Sequence, residues 1–274
     1  MSGPGAGDGA RFDPPIDVAV VTGAASGIGR GLASRLVAEG VRVVAVDIDA
    51  DAVAELAQVV DVVPFRLDVT DEAATSAMVA EVEATLGPVD LLCLNAGIAT
   101  GGGVEASNEA WQRTWEVNLM SHVYGARAVL PSMLARGRGR LLHTASAAGL
   151  LTNIGAAPYS VTKHAVVALA DWLSMTYGDR GIMVSCLCPQ FVDTPMLDLF
   201  ADGEGMREWV RGVAISADDV AESVVEGLGD GRFLILPHPE VARYVERRAT
   251  DHDRWLASMR RLQSDVGYRP PELG

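Results

Sequence analysis

A tyrosine and a lysine four residues apart, with a serine thirteen residues before the tyrosine, are the residues of this chain best suited to chemistry. They are Ser146, Tyr159 and Lys163, the last two in the run YSVTK. Side chains four apart on a helix leave from the same face. A lysine cation there would favour the phenolate and lower the pKa of the tyrosine. The phenol would then be a usable acid or base near neutrality, and the serine hydroxyl could hold a substrate oxygen.

The YxxxK match is weak by itself, because a solvated lysine beside a half-buried tyrosine is the commoner meaning of so short a motif. A glycine-rich loop near the start of the chain gives it a context. Asp17–Thr22 is a short apolar run typical of a buried parallel strand, and it leads through GAASGIG into a helical stretch. Glycines at such a turn let the backbone approach a pyrophosphate, and the helix N-terminus offers N–H groups to it. We therefore predict a dinucleotide site at Gly23, Gly27 and Gly29.

The second predicted strand, Arg42–Asp47, ends on an acidic residue. In dinucleotide-binding folds, a carboxylate at this place accepts hydrogen bonds from the adenosine ribose and disfavours a 2′-phosphate. No lysine or arginine occurs between Thr22 and Gly29. Asp47 therefore predicts NAD rather than NADP as the cofactor. The alternative interpretation is that Asp47 is an ordinary aspartate in a loop and does not contact a cofactor.

The predicted strands alternate with helical runs, which indicates an α/β fold. We expect a single doubly wound, parallel, seven-stranded sheet of Rossmann type with helices on both faces and a C-terminal helical extension. Most motif residues follow the carboxyl ends of strands, where this fold binds ligands. The strands are predicted near residues 17–22, 42–47, 62–67, 90–95, 140–145, 182–187 and 233–236.

With these residues in view, the chain resembles the classical short-chain dehydrogenase/reductase family over about residues 15–237. The resemblance rests on TGAASGIG, on RLDVT, on LNAG, on VNL, on YSVTK and on the segment CPQFVDTP. Two positions depart from the family pattern: Leu94 replaces an asparagine, and Gln190 stands where glycine is usual, close to the nicotinamide. The resemblance implies that the cofactor is bound by Gly23, Ser26, Gly27, Ile28, Gly29, Asp47, Asp68, Val69, Asn95, Ala96, Gly97, Tyr159, Lys163, Pro189, Val192 and Thr194.

The resemblance also implies the reaction and the roles of four catalytic residues. Tyr159 would exchange a proton with the substrate hydroxyl, and Ser146 would position that oxygen. Lys163 would bind the nicotinamide ribose, and Asn118 would hold a water that links the lysine to solvent. We therefore expect an NAD-dependent oxidoreductase that acts on a secondary alcohol or its ketone. The alternatives are an NADP-dependent 3-oxoacyl thioester reductase and a non-catalytic NAD-binding regulator.

The substrate itself is less defined by the sequence. Ser146, Tyr159, Gln190 and Met196 are predicted to contact it. Residues 194–211 contain many apolar side chains and two glycines, which indicates either a mobile wall of an apolar pocket or a helix on the body of the protein. The run from 241 to 262 predicts one amphipathic helix, for which packing or a subunit contact is favoured over a pocket cover. By resemblance, Glu105–Arg136 and Pro158–Gly178 imply pairing into a homotetramer or dimer.

Composition limits the other possibilities. The net charge of −14 argues against nucleic acid and anionic membranes as partners. The three cysteines lie in apolar runs, which predicts buried thiols, and no metal site is expected. Met1–Pro15 lacks the features of a signal peptide, so we predict a disordered lead and a cytoplasmic protein. A single domain is expected over residues 16–274, with its extension over 240–274.

Overall fold

The protein is described by a computed structural model that covers residues 11–197 and 210–269. Its strands are β1 Val18–Thr22, β2 Arg42–Asp47, β3 Val62–Arg66, β4 Leu91–Leu94, β5 Gly139–Thr144, β6 Ile182–Leu187 and β7 Leu234–Ile235. They form one sheet in the order β3-β2-β1-β4-β5-β6-β7, and every neighbouring pair is parallel. The chain changes direction across the sheet between β1 and β4, which opens the ligand crevice of this fold at their carboxyl ends. The predicted doubly wound, seven-stranded sheet is confirmed.

Helices cover both faces of the sheet. Their bounds are α1 Gly27–Ala38, α2 Ala50–Val59, α3 Glu72–Thr85, α4 Asn108–Trp115, α5 Ser121–Arg136, α6 Ala148–Leu151, α7 Ala157–Tyr177, α8 Ala217–Gly229, α9 Glu240–Thr250 and α10 His252–Asp265. One apolar core joins the sheet to α1, α2 and α8, and a second joins it to α3, α5 and α7. The central strands β1, β4, β5 and β6 are buried on both faces because helices cover both, as their continuous apolar sequences predict, whereas the edge strand β3 is largely exposed.

The start of the described chain corrects one prediction. Phe12 is buried in the first core, at 5 % exposure. The buried Arg140 guanidinium donates hydrogen bonds to the carbonyl oxygens of Asp13, at 2.7 Å, and Pro14, at 3.1 Å. The disordered lead predicted over Met1–Pro15 is therefore wrong for residues 11–15, because an aromatic anchor and a buried arginine hold them. Residues 1–10 lie outside the described residues.

The C-terminal extension is two helices rather than the single helix predicted from 241 to 262. The break lies at Asp251, whose side chain accepts a hydrogen bond from the Arg254 N–H at 2.9 Å and caps α10. An aspartate at a helix N-cap satisfies an otherwise unpaired donor. The amphipathic periodicity continues across the break, which is why the sequence suggested one element.

The cysteines follow the prediction: Cys93, Cys186 and Cys188 are buried free thiols. Within residues 11–197 and 210–269, no group of three or more metal-ligating side chains comes together. None of the helices in these two ranges combines the length and the hydropathy that a membrane span requires.

Candidate active site

A cleft of about 1580 Å³ opens at the carboxyl ends of the central strands. Every cofactor and substrate residue predicted from the sequence lines it except Gly29, which packs beneath its floor. Asn118 is fully buried behind the cleft. The tertiary structure thus brings together residues from β1 to the segment after β6, as the prediction requires.

The glycine loop between β1 and α1 forms one end of this cleft. Gly23 and Gly27 adopt positive φ angles of +67° and +50°, which residues with a Cβ rarely adopt. A Cβ added to Gly29 would lie 2.0 Å from the carbonyl oxygen of Gly23, and one on Gly27 would lie 2.9 Å from Thr194 Cγ2. The loop thus forms a closely packed backbone cradle without room for larger side chains at these glycines, and Gly23 and Gly27 line the cleft. This geometry fits a pyrophosphate group at the N-terminus of α1.

Asp47 stands beside the same loop at the end of β2. One of its oxygens accepts a hydrogen bond from the Ala25 N–H at 3.0 Å, and the other accepts from the Asp49 N–H at 3.1 Å. Each carboxylate oxygen has a second lone pair that can accept a ribose hydroxyl. Asp47 therefore shapes the glycine loop in addition to the ribose contact that the sequence predicts.

The neighbouring cofactor residues are also held by local hydrogen bonds. The hydroxyl of Thr22, at the end of β1, accepts from the N–H groups of Asn95 and Ala96 at 2.9 and 3.1 Å. Asp68 accepts from the backbone and the hydroxyl of Thr70, and these bonds lower the pKa of its carboxyl group. The floor of the nucleotide end is therefore fixed without any ligand.

Ser146, Tyr159 and Lys163 converge at the other end of the cleft. Ser146 follows β5, and the other two leave α7 one turn apart. The Tyr159 phenol hydrogen-bonds the Ser146 hydroxyl, and the Lys163 Nζ lies 5.6 Å from the centroid of the Tyr159 ring. The Lys163 ammonium donates to the carbonyl oxygen of Thr144 at 2.8 Å. All three side chains are buried, at 8 %, 7 % and 3 % exposure.

The ionisation of this trio differs from the prediction. Burial raises the pKa of the Tyr159 phenol, and the hydrogen bond from Ser146 only partly opposes that rise. Burial also lowers the pKa of Lys163 to about 8. The expectation that Lys163 lowers the pKa of Tyr159 is therefore wrong for the chain alone, because desolvation of the buried phenolate is the largest influence on that pKa.

Asn118 lies in a π-helical turn, Glu116–Met120, between α4 and α5. Such turns inside helices are frequent at functional sites. The Asn118 amide accepts from the Ile98 N–H at 2.8 Å and donates to the Ile98 carbonyl at 2.9 Å. It also donates to the Thr162 hydroxyl at 3.3 Å, next to Lys163. Asn118 thus ties the loop after β4 to α7; its predicted water-holding role stays a prediction.

His238, which the sequence analysis did not identify, fixes the segment after β6. Its Nδ1 accepts from the Gln190 N–H at 3.1 Å, so its Nε2 carries the hydrogen and donates to the Phe191 carbonyl at 3.1 Å. Burial lowers the pKa of this imidazole and keeps it neutral. Its position just after β7, at the ligand edge of the sheet, was the available signal.

Gln190 lines the cleft as predicted. Its side-chain oxygen is buried and has no hydrogen-bond partner within the described residues. Met196 also lines the cleft, together with Leu197 and Val210 at the two sides of the predicted substrate loop. The middle of that loop, residues 198–209, lies outside the described residues.

The C-terminal helices occupy a place that the sequence analysis did not favour. Side chains from α9 and α10 line the cleft, and so does the segment after α10. The Arg248 guanidinium donates to the Leu150 carbonyl of α6 at 3.0 Å. The ring of Tyr268 lies so close to Gly155 that an added Cβ there would be 2.8 Å from it. The extension therefore covers the catalytic end of the cleft.

Comparison with known proteins gives this geometry a context. Residues 17–204 match the family model of the short chain dehydrogenases. The chain is 38 % identical over 231 residues to a 1-deoxy-11-beta-hydroxypentalenate dehydrogenase of Streptomyces exfoliatus, covering 81 % of this chain and 83 % of the relative.

Two solved structures are also similar. A short chain dehydrogenase/reductase from Burkholderia phymatum in complex with NAD has a TM-score of 0.79 and 29 % identity, over 96 % of this chain and 99 % of that one. A candidate NAD(P) dependent gluconate 5-dehydrogenase from Beutenbergia cavernae, with NADP bound at low occupancy, has a TM-score of 0.75 and 26 % identity. That match covers 83 % of this chain and 97 % of that one.

Proposed function

Because the chain belongs to the short-chain dehydrogenase family and is thus an oxidoreductase acting on hydroxyl or keto groups, we propose that it uses NAD to interconvert an apolar secondary alcohol and its ketone. The observation that carries this proposal is the convergence of Ser146, Tyr159 and Lys163 in one cleft with the glycine loop.

The cofactor fits the residues present. The glycine cradle would hold the pyrophosphate, Asp47 the adenosine ribose, and Lys163 the nicotinamide ribose. When bound, NAD supplies the hydride acceptor, and its reduced form the hydride donor. The carboxylate of Asp47 favours NAD, since it would repel a 2′-phosphate. NADP in one similar structure makes cofactor choice the first property to measure.

The chain's own residues handle the proton and the substrate oxygen. The neutral Tyr159 phenol donates its proton to the oxygen of a ketone, and it takes a hydroxyl proton in the reverse direction. The Ser146 hydroxyl, held by the Ala148 N–H at 3.1 Å, positions that oxygen beside the phenol. Burial of both groups restricts the access of water to the proton transfer.

Relatives indicate the kind of substrate. The names of the pentalenate and gluconate enzymes denote hydroxylated or oxidised carboxylates. The apolar lining of the catalytic end, with Leu151, Ile154 and Met196, favours the more apolar of these. Assembly as a dimer or tetramer and a cytoplasmic location remain parts of the proposal.

Turnover tests the proposal directly. The full-length chain is incubated with NAD or NADP and a series of cyclic secondary alcohols, and formation of the reduced cofactor is followed. Tyr159→Phe should lower turnover by about 10²–10⁴-fold and leave the NAD dissociation constant nearly unchanged, because it removes the proton donor alone. The matched control is Tyr177→Phe at the other end of α7, which should retain full activity. A Tyr159→Phe variant with more than about a tenth of wild-type turnover would contradict the assignment.

A further inference from the structure

The C-terminal helices present an apolar stripe to the cleft that nothing in the described chain covers. Trp255, Met259, Leu262 and Val266 recur at helical spacing along and just after α10, and all four line the cleft. Leu262 and Val266 are 45 % and 40 % exposed, although they face the interior of the site rather than its outer surface. An exposed apolar stripe inside a ligand cleft indicates an apolar ligand.

Two exposed arginines of the C-terminal extension line the same cleft as this stripe. Arg247 of α9 and Arg269 after α10 both line the cleft. Neither forms an ion pair with a carboxylate in residues 11–197 or 210–269. Because the chain as a whole carries a net charge of −14, the two arginines are local positive charges in an acidic protein.

The acidic residues of the cleft do not neutralise these arginines. Asp47 and Asp68 belong to the nucleotide end, where they accept backbone hydrogen bonds. Glu105 accepts from the Gly103 N–H at 2.6 Å in the loop after β4. The charge of Arg113, the remaining arginine of the lining, helps to lower the pKa of the Asp68 carboxyl group. Within residues 11–197 and 210–269, Arg247 and Arg269 are therefore free to meet a charge brought by the ligand.

The extension is anchored where such a ligand would reach the catalytic residues. The hydrogen bond from Arg248 to Leu150 fixes α9 to α6, which begins two residues after Ser146. Tyr268 packs on Gly155, four residues before Tyr159. A molecule whose reacting carbon lies at Tyr159 can thus lay its hydrocarbon body against α10 and extend its far end to the arginines.

We propose that the substrate is an apolar hydroxy or keto carboxylate, whose carboxylate is bound by Arg247 and Arg269 and whose hydrocarbon body is covered by Trp255, Met259, Leu262 and Val266. Planar guanidinium groups bind carboxylates with two parallel hydrogen bonds, which favours arginine for this task. This inference rests on the proposed function and assigns the C-terminal extension as its specificity element.

Two probes of equal shape separate charge from hydrocarbon. Adamantane-1-carboxylate and adamantane-1-carboxamide are titrated by calorimetry into the full-length chain saturated with NAD. The carboxylate should bind roughly tenfold more tightly, and Arg247→Met or Arg269→Met should remove that preference. Arg243→Met, an exposed arginine of α9 outside the cleft lining, is the matched control and should keep it. Leu262→Ser should weaken both probes equally, because it changes only the apolar stripe.

Any other result of these titrations contradicts the proposed carboxylate site. Equal binding of the two probes, binding of neither, or an equal loss in Arg243→Met would overturn it. Titration of NAD into the same samples keeps this failure distinct from failure of the proposed function. If NAD binds and turnover of neutral alcohols proceeds while the carboxylate preference is absent, only the substrate class is wrong.

Discussion

Burial raises the pKa of the Tyr159 phenol, and the ammonium of Lys163 donates to the carbonyl oxygen of Thr144, so Tyr159 is a protonated phenol in the chain alone. A protonated phenol is the form required to reduce a ketone. Oxidation of an alcohol requires the phenolate, which the chain alone disfavours. At the scale of this residue, the structure is thus ready for proton donation.

The Asp47 carboxylate accepts a hydrogen bond from the Ala25 N–H, and we propose that it also binds the adenosine ribose of NAD. Asp47→Ala should lower the selectivity for NAD over NADP by about ten- to a hundredfold, because the ribose acceptor and the repulsion of a 2′-phosphate are both lost. The substitution should also weaken the binding of NAD, since the Ala25 N–H of the glycine loop loses its acceptor. Titration of both cofactors measures both effects.

Asp49→Ala is the control for this substitution. Asp49 caps α2 and does not line the cleft. Its loss should cost stability and leave the cofactor ratio as it is. Unchanged discrimination in Asp47→Ala would show that Asp47 is not the ribose ligand.

At the scale of elements, the segment after β6 depends on a residue that follows β7. His238 pairs with two successive backbone groups of that segment, and Gln190 stands between them and the cleft. A glycine at position 190 would keep the backbone bond and lose only the side chain. His238 therefore holds the segment in place, whereas the side chain of Gln190 is available to contact the ligand.

His238→Ala should destabilise the fold by about 1–3 kcal/mol and raise the KM for cofactor, because the Gln190 N–H is left without its acceptor. His238→Asn should recover part of both, since its amide oxygen can replace Nδ1. Gln190→Gly should instead change substrate selectivity at constant NAD affinity. Urea unfolding and kinetics with both substrates measure these changes; His164→Ala, outside the cleft, serves as control.

If His238→Ala and Gln190→Gly changed stability, cofactor KM and substrate selectivity in the same way, the separate roles given to these two residues would be contradicted. If Gln190→Gly had no kinetic effect at all, Gln190 would serve the turn alone. If His238→Asn behaved like His238→Ala in every measurement, the hydrogen bond to Gln190 would not be the cause.

At the scale of the whole molecule, two neutral histidines lie in the core. The Nδ1 atoms of His122, on α5, and His143, on β5, are 3.0 Å apart, and both residues are fully buried. Burial lowers the pKa of His143 to about 3. Burial, and after it the neighbouring His143, lowers that of His122 well below its usual value.

These histidines should make stability depend on pH. Below pH 6.5, which is about the pKa of a histidine in the unfolded chain, the unfolded chain binds protons at these two residues and the folded chain does not. The stability is therefore complete above pH 6.5 and is lost as the pH falls, by up to about 1.4 kcal/mol per unit for each histidine. Urea unfolding between pH 6.5 and 5 measures the slope, in a window where unperturbed carboxyl groups titrate little.

His252→Asn, at an exposed residue that begins α10, is the control and should keep the wild-type slope. His143→Asn should reduce it. If that variant does not fold, a wild-type slope above about 1.4 kcal/mol per pH unit decides in favour of the pair, because His238, whose pKa burial also lowers, cannot exceed that slope alone. A flat wild-type curve over this range would contradict the neutral buried pair.

The sequence by itself determined the parts of this protein that are local. Apolar β-branched runs predict buried strands wherever they occur, positive φ angles at Gly23 and Gly27 require glycine, and the helical spacing of Tyr159 and Lys163 places both on one face. That the glycine loop and the Tyr159 side chain would share one cleft followed from the rule that parallel strands present their carboxyl ends at the same edge of the sheet.

Only the tertiary structure decided what depends on distant contacts. The rise in the Tyr159 pKa comes from burial by surrounding elements, which no spacing records. The capture of the Gln190 segment by His238 joins residues 48 positions apart, and the anchoring of α9 by Arg248 joins residues 98 apart. Amphipathic periodicity shows that a helix has an apolar face, but it does not show whether that face meets the core, another subunit or a substrate. The structure places side chains of α9 and α10 in the lining of the cleft, and this placement supports the proposed contact with a substrate.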